Sequence, residues 1–200
     1  MPYSLGEIQA DLRILKNGLS TAGVPTRLLG AIETRALRSG RRQTGEFQSN
    51  RQSRWNLLTR DPQFGTELDC KVILAKLLSQ IIEFDGAPNV SPETIGIAAK
   101  YLAHEPTKAS YRDPLTKEKL SYEQMEIESG DPRHGISSFH LGHEDPTAIP
   151  RHTPANVNWR SARSNLIQGD LTLSAARTKF VELIARYFGL GEVRIEPEDH

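Results

Sequence analysis

The stretch FHLGHEDPTAIPRHTPANVNWRSARSNLIQGD, residues 139–170, decides the fold of the second half of the chain. It opens with a short run of strand-forming residues that ends at His143, and a second such run, VNWRS, begins at Val157. A loop with several prolines separates the two runs. The segment SNLIQGD follows directly and is predicted to be a short helix. The order strand, loop, strand, helix predicts a ββα unit.

Helical patterns dominate the sequence outside this stretch. Apolar residues at helical spacing, together with caps and stop signals, predict five helices. They cover residues 4–19, 25–37, 67–84, 92–103 and about 173–188. The helix over 67–84 is apolar around most of its surface, so we expect it to be buried centrally, either in a monomer core or in a dimer interface.

These elements predict an α+β protein. A mostly helical region, residues 1–105, is followed by residues 106–200, which contain the ββα unit and the C-terminal helix. The polar segment GRRQTGEFQSNRQSRWNLLTR between the second and third helices has no clear period and is predicted to be a loop. A helix-turn-helix over residues 4–38 is an alternative, but two packed core helices fit that pattern better.

The charge is balanced overall but unevenly distributed. The chain has 25 basic and 25 acidic residues, yet residues 1–60 carry ten basic and four acidic ones. A region of net charge +6 suits a polyanionic partner, although a solvated surface would have the same composition.

The single cysteine, Cys70, lies in an apolar run and is predicted to be a core residue. One cysteine excludes an intramolecular disulfide and a zinc knuckle. No apolar segment approaches the roughly 18 residues of a membrane span, and the N-terminus lacks the pattern of a signal peptide. We therefore expect a soluble, cytoplasmic protein.

The order His143, Asn158, Asn165 resembles the HNH, or ββα-metal, endonuclease superfamily, and in particular its restriction-type members. Pro146 and the ending Gln168-Gly169-Asp170 also match that pattern. Upstream, Asp113-Pro114-Leu115-Thr116-Lys117 resembles the P-x-T-G hairpin that often precedes an HNH core, with Lys117 in place of the glycine.

The resemblance implies a role for each matching residue. His143 would be the general base that takes a proton from the attacking water, a role that suits a group with an ordinary pKa near 6.5. Asn158 would brace the loop and orient the histidine. Asn165 would ligate a single Mg²⁺ or Mn²⁺ ion, which would stabilise charge on the phosphate and the leaving oxygen.

The chain departs from the family pattern at Gly142, where the family usually has a metal-binding Asp or His before the catalytic histidine. The missing ligand must come from elsewhere. Asp145 and Asp170 are the nearest carboxylates, and His140 ranks below them because residues three apart on a strand point to opposite faces.

Basic residues in two regions are predicted to contact the phosphates of double-stranded DNA. They are Arg38, Arg41, Arg42, Arg51 and Arg54 in the N-terminal region, and Arg151, His152, Arg160 and Arg163 around the ββα unit. A homodimer is expected, because restriction-type enzymes often match palindromic sites with two-fold symmetry.

Three functions follow from these residues. The first is a metal-dependent, site-specific DNA endonuclease. The second is a non-catalytic DNA-binding protein that retains a degenerate ββα fold, for which Gly142 is the main support. The third, a metal-independent or RNA-directed nuclease, ranks lowest because aromatic residues for stacking on bases make up only 6% of the chain.

Overall fold

Seven helices and two small antiparallel sheets make up the described part of the chain. A computed structural model describes residues 3–40, 42–43, 49–131 and 137–194. The helices are α1 (Leu5–Thr21), α2 (Thr26–Leu37), α3 (Glu67–Ile81), α4 (Pro92–Leu102), α5 (Tyr122–Gly130), α6 (Ala162–Gln168) and α7 (Leu173–Gly189). The strands are β1 (Arg42–Gln43), β2 (Ser49–Asn50), β3 (Phe139–His143) and β4 (Val157–Ser161). The α+β class is confirmed.

Helix α3 lies at the centre of the core. Residues from Ile73 to Phe84 are almost all buried, and α1, α2 and α4 pack around this helix. The side chain of Ser4 caps α1 in a reciprocal capping box with Glu7, and Ser91 caps α4. Of the two roles considered for this helix, the structure assigns it to the monomer core.

The ββα unit is present in the predicted order. Strand β3 pairs with β4 in antiparallel register, with Gly142 opposite Asn158 and His143 opposite Val157. Helix α6 follows β4 without a loop, and Ser161 caps it by accepting a hydrogen bond from the backbone N–H of Ser164. The two-stranded sheet therefore presents one face to α3 and the other to α6.

Trp159 fastens the ββα unit to α3. Its ring is fully buried, and the indole Nε1 donates a hydrogen bond of 3.0 Å to the carbonyl of Leu77. Because Trp159 follows Asn158 on the predicted strand, the sequence predicts that its ring points to the opposite face and packs in the core under the short helix. The core position is confirmed, but the partner is α3. Strand alternation explains the difference, because α6 covers the face that carries Arg160.

Asp113 ties the turn over 113–118 to β4 and α6. Its buried carboxylate accepts hydrogen bonds from the backbone N–H groups of Leu115, Thr116 and Ser161 and from the hydroxyl of Ser164. Lys117, in the position of the family's glycine, has φ +63°, a conformation that favours glycine. Lys117 therefore adopts the backbone conformation that a glycine at this position would favour.

Two regions differ from the sequence expectations. Helix α5 was not predicted, because only Tyr122 and Met125 are buried and no regular apolar stripe marks it. The segment expected to be a loop contains the short pair β1–β2 and a 3-10 turn at Arg54–Asn56. The boundary proposed near residue 105 stays a prediction, although one core cluster contains residues from both sides of it, from Ile8 to Trp159.

Helix α7 is buried only at its first turns. Leu173 and Ala176 pack against Leu115, while most large apolar residues further along the helix are exposed. They are Val181, Leu183, Ile184, Tyr187, Phe188 and Leu190. The helix and its Gly189 end agree with the sequence expectation, but its apolar side has no partner within the described part of this chain.

Candidate functional site

His143 ends β3 with its ring on the face of the sheet that looks toward α3. It pairs with Val157, which belongs to the core. The Nε2 atom of His143 is buried and has no hydrogen-bond partner among the described residues. Burial, together with Arg151, Arg54 and Arg160, lowers the pKa of His143 to about 4. At neutral pH the ring is therefore uncharged, which is the form that can accept a proton.

A second imidazole lies next to it. The ring centroids of His143 and His152 are 6.4 Å apart. His152 is fully buried, and its Nε2 lies 2.7 Å from the carbonyl oxygen of Ala36. Burial, with Arg54 as the strongest charged neighbour, lowers the pKa of His152 to about 3. His152 was expected to contact DNA, but its ring is enclosed by protein.

These two pKa values predict a loss of stability in mild acid. The unfolded chain binds a proton at each ring near pH 6.5, whereas the folded protein does so only near pH 4 for His143 and near pH 3 for His152. We expect the free energy of unfolding to be constant above about pH 7 and to fall below pH 6.5, by at most roughly 1.4 kcal/mol per pH unit for each ring. Urea unfolding at a series of pH values measures this, and His143→Leu should remove about half of the slope. An unchanged slope in that variant would contradict the assignment.

Asn156 braces the loop between the two strands. Its side chain accepts a hydrogen bond of 2.7 Å from the backbone N–H of Asp145 and donates to the carbonyls of Asp145 and Arg151 at 2.9 and 2.8 Å. Asn156 therefore holds the loop that follows His143, and the role predicted for Asn158 stays a prediction. The sequence Asn156-Val157-Asn158 contained this signal, since either asparagine fits the middle position.

Asn158 has different partners, at the outer edge of β4. Its amide oxygen accepts a hydrogen bond of 2.8 Å from Gln80 of α3, and its amide nitrogen donates at 3.0 Å to Glu144. Lys76 of α3 also reaches this edge and donates to the carbonyl of Val157. Asn158 thus helps to attach β4 and the start of the loop to α3.

Arg160 explains the glycine at position 142. A Cβ atom on Gly142 would lie 2.1 Å from the Cγ of Arg160, so no larger residue fits without moving the arginine. Arg160 is buried, and its guanidinium donates to the side chain of Gln168 on α6. A cationic side chain therefore packs where the family pattern has a metal ligand. Arg160 was expected to contact DNA, but it lies under α6.

The proposed metal ligands are not assembled into a cluster. Asn165 is partly exposed on α6, and its side chain has no hydrogen bond within the described residues. The carboxylate of Asp145 already has partners within a turn. It accepts hydrogen bonds from the N–H and the hydroxyl of Thr147, and these bonds lower its pKa. Asp170 is exposed just beyond α6. In the part of the chain described by the structure, no three His, Cys, Asp or Glu side chains are grouped so that they could hold a metal ion. The donor set does not fit a preformed magnesium site.

The remaining predicted DNA contacts have different surroundings. Arg38, Arg51 and Arg163 are exposed, and Arg151 is half-buried with a side chain that makes no hydrogen bond within the described ranges. Arg54 is half-buried and donates to the carbonyls of Gln63 and Arg35. Arg41 and the side chain of Arg42 lie outside the described residues.

Comparison with known proteins gives a likeness to solved structures. No protein-family model and no curated protein sequence matches the chain. Among solved structures, it is similar to one described as the crystal structure of a type II restriction endonuclease, with a TM-score of 0.51 and 17% sequence identity. The match covers 62% of this chain and only 54% of that enzyme. At this identity the likeness concerns the fold.

In the residues described here, no helix has both the length and the apolar character needed to cross a membrane.

Proposed function

We propose that this protein is an endonuclease that hydrolyses phosphodiester bonds of double-stranded DNA in the cytoplasm. The observation that carries the proposal is His143, an uncharged imidazole with a free Nε2 at the end of the first strand of a ββα unit. A general base must be unprotonated, as His143 is at neutral pH, although a pKa of about 4 also makes its ring a weaker base than an ordinary histidine. The fold likeness to a type II restriction endonuclease supports the same function.

Three residues of the ββα unit and its loop have a role in the proposed reaction. His143 takes the proton from the attacking water. Asn156 holds the loop that follows His143 through three side-chain hydrogen bonds, and Gln168 donates to the carbonyls of His143 and Glu144. These bonds fix the backbone at the end of β3, which limits the positions that the imidazole can take before substrate binds.

The HNH resemblance also implies one Mg²⁺ or Mn²⁺ ion per site. Since the described residues do not group its ligands, we derive no step through the ion, and dependence on metal is decided by experiment. Supercoiled plasmid should be cut by the purified protein, with products compared in Mg²⁺, in Mn²⁺ and in EDTA. Discrete fragments would show site specificity. Failure to cut in all three conditions would refute the nuclease proposal.

The second candidate is a DNA-binding protein without catalysis. The observation in its favour is Arg160, which fills the space where the family has a metal ligand at position 142. This function predicts that DNA is retarded on a gel by protein that cuts no plasmid under any of these conditions. Plasmid cleavage that is lost on removing His143 would exclude it.

We propose further that the protein forms a homodimer through α7. The apolar residues Phe180, Leu183, Tyr187 and Leu190 are spaced alternately by three and four positions, which is typical of paired helices. The exposed apolar side chains of α7 leave on the order of 500 Å² uncovered on each copy, toward the upper end of the largest apolar patches on monomers, which are often functional. Pairing two copies would bury on the order of 1,000 Å², about the minimum for a stable interface.

A charged residue introduced on this face of α7 tests whether the protein dimerises through the helix. Leu183→Glu should shift the protein from dimer to monomer, because two carboxylates would be buried across the interface without partners. Sedimentation equilibrium measures the shift. Leu58→Glu is the matched control, since Leu58 is 66% exposed but lies far from α7 in sequence, and it should leave the mass unchanged. A wild-type protein that is monomeric at all concentrations would contradict the proposal.

A further inference from the structure

Four buried side-chain nitrogen atoms have no hydrogen-bond partner in the described structure. They are Nε of Arg54, Nη2 of Arg160, Nε2 of His143 and Nδ1 of His152. Buried polar nitrogens are nearly always hydrogen-bonded, because an unpaired one has lost its water without gaining a partner. The unpaired nitrogens of the two uncharged imidazoles are lone pairs, whereas those of the two arginines are donors that lack an acceptor. The arginines therefore indicate that a hydrogen-bond acceptor from outside the chain binds here.

The charges around these atoms determine the kind of group. Arg54 and Arg151 both act electrostatically on both imidazole rings, and every charged side chain that acts on His143 is an arginine. Asp61 acts on Arg54 but ranks below Cys70 and Arg151 among its neighbours. Two guanidinium groups repel a metal ion and attract an anion, and arginine is the residue best suited to phosphate oxygens.

The arginines differ in how firmly they are held. Arg54 is fixed by hydrogen bonds of 3.2 and 3.3 Å from its terminal nitrogens to the carbonyls of Gln63 and Arg35. Only its Nε remains unpaired. Arg151 has a free side chain, while its backbone carbonyl is held by Asn156. Arg54 is thus preorganised by the helical half of the protein. The Arg151 side chain, on the loop between β3 and β4, can move toward a bound group.

We propose that Arg54, Arg151, His143 and His152 form a phosphate-binding pocket. Resting on the proposed function, the pocket takes the phosphodiester group of DNA that is attacked by the water molecule from which His143 takes a proton. The phosphate oxygens accept hydrogen bonds from Nε of Arg54 and from the guanidinium of Arg151, and His152 closes the inner wall. The helical region therefore contributes directly to the site through the 3-10 turn that carries Arg54.

Inorganic phosphate tests the pocket without requiring DNA cleavage. Thermal unfolding of the whole chain is followed in rising phosphate, with ionic strength kept constant by chloride. A ligand that binds only the folded state raises Tm in a saturable manner. We expect this rise in the wild type and in Arg13→Gln, whose arginine is exposed on α1. We expect the rise to be lost in Arg151→Gln.

Arg151→Gln should fold normally, because that side chain makes no hydrogen bond in the described structure. Arg54→Lys provides a second variant, which keeps the positive charge but loses the Nε donor and should weaken phosphate binding about tenfold or more. The proposal is overturned if phosphate gives the wild type no saturable rise in Tm, or if Arg151→Gln shows the same rise as the wild type.

DNA provides a readout that separates this proposal from the proposed function. With wild type and Arg151→Gln, DNA affinity is measured over a range of salt concentrations. Loss of one phosphate contact should reduce the slope of log K against log salt by about one. Phosphate binding without plasmid cleavage would leave the pocket standing and refute the nuclease. Cleavage that Arg151→Gln leaves unchanged would refute the pocket and leave the nuclease standing.

Discussion

His143→Ala is expected to lower the rate of DNA cleavage by about 10²–10⁴-fold, the usual contribution of a positioned general base. Alanine cannot accept the proton of the attacking water, and the neighbouring imidazole of His152, whose Nδ1 is also unpaired, is fully buried. Single-turnover cleavage of plasmid measures the effect. DNA binding should persist, because the arginines remain.

His140→Ala is the matched control for this substitution. His140 lies on the same strand, three residues earlier, and is only partly buried. Its loss should change cleavage by less than about tenfold, since strand alternation places it on the other face from His143. Equal losses in the two variants, or a His143→Ala protein as active as the wild type, would remove His143 from the reaction.

Asp113→Ala is expected to destabilise the protein by roughly 3–5 kcal/mol, the range for removing one partner from a buried charged network. The buried carboxylate accepts four hydrogen bonds, and the donors on Leu115, Thr116, Ser161 and Ser164 would all lose their acceptor. Burial raises the pKa of Asp113, but these four bonds outweigh burial and leave the pKa below its ordinary value. Urea unfolding at neutral pH measures the loss.

Asp145→Ala serves as the control for Asp113→Ala. The hydrogen bonds of its carboxylate stay within the local turn that it forms with Thr147, so the loss should be much smaller than for Asp113→Ala. Similar effects of the two substitutions would contradict the assignment of Asp113 as the residue that joins the 113–118 turn to β4 and α6. Asp113→Asn should lie between the two, because an amide oxygen replaces only part of the acceptor capacity.

Much of the fold could be predicted because its determinants are local. The Ser4 and Ser91 caps and the apolar spacing of α1 through α4 are visible in consecutive residues. The ββα order followed from turn and strand residues in 139–170. Helix α5 could not be found, because it is held by Tyr122 and Met125 alone and carries no periodic stripe.

Less of the site could be predicted from the sequence, because the site depends on the face of the strand or helix on which each side chain lies. His143 was identified, but its pKa depends on arginines 17 or more residues away as well as on nearby ones. Asn156 and Asn158 differ by two positions, and only the loop geometry shows which one braces the backbone. The burial of His152 and Arg160 arises from packing against α2 and α6, which no local pattern records.

The close contact between Gly142 and Arg160 makes these two positions interdependent during sequence change. A carboxylate at 142 would collide with the arginine, and a shorter residue at 160 would leave a hole next to Gln168. Either substitution alone should destabilise the protein. Both together would replace the buried arginine at 160 with a shorter side chain and leave room for the carboxylate at 142. Relatives of this protein that have an acidic residue at position 142 should therefore have lost the arginine at 160, and the two columns of an alignment would vary together.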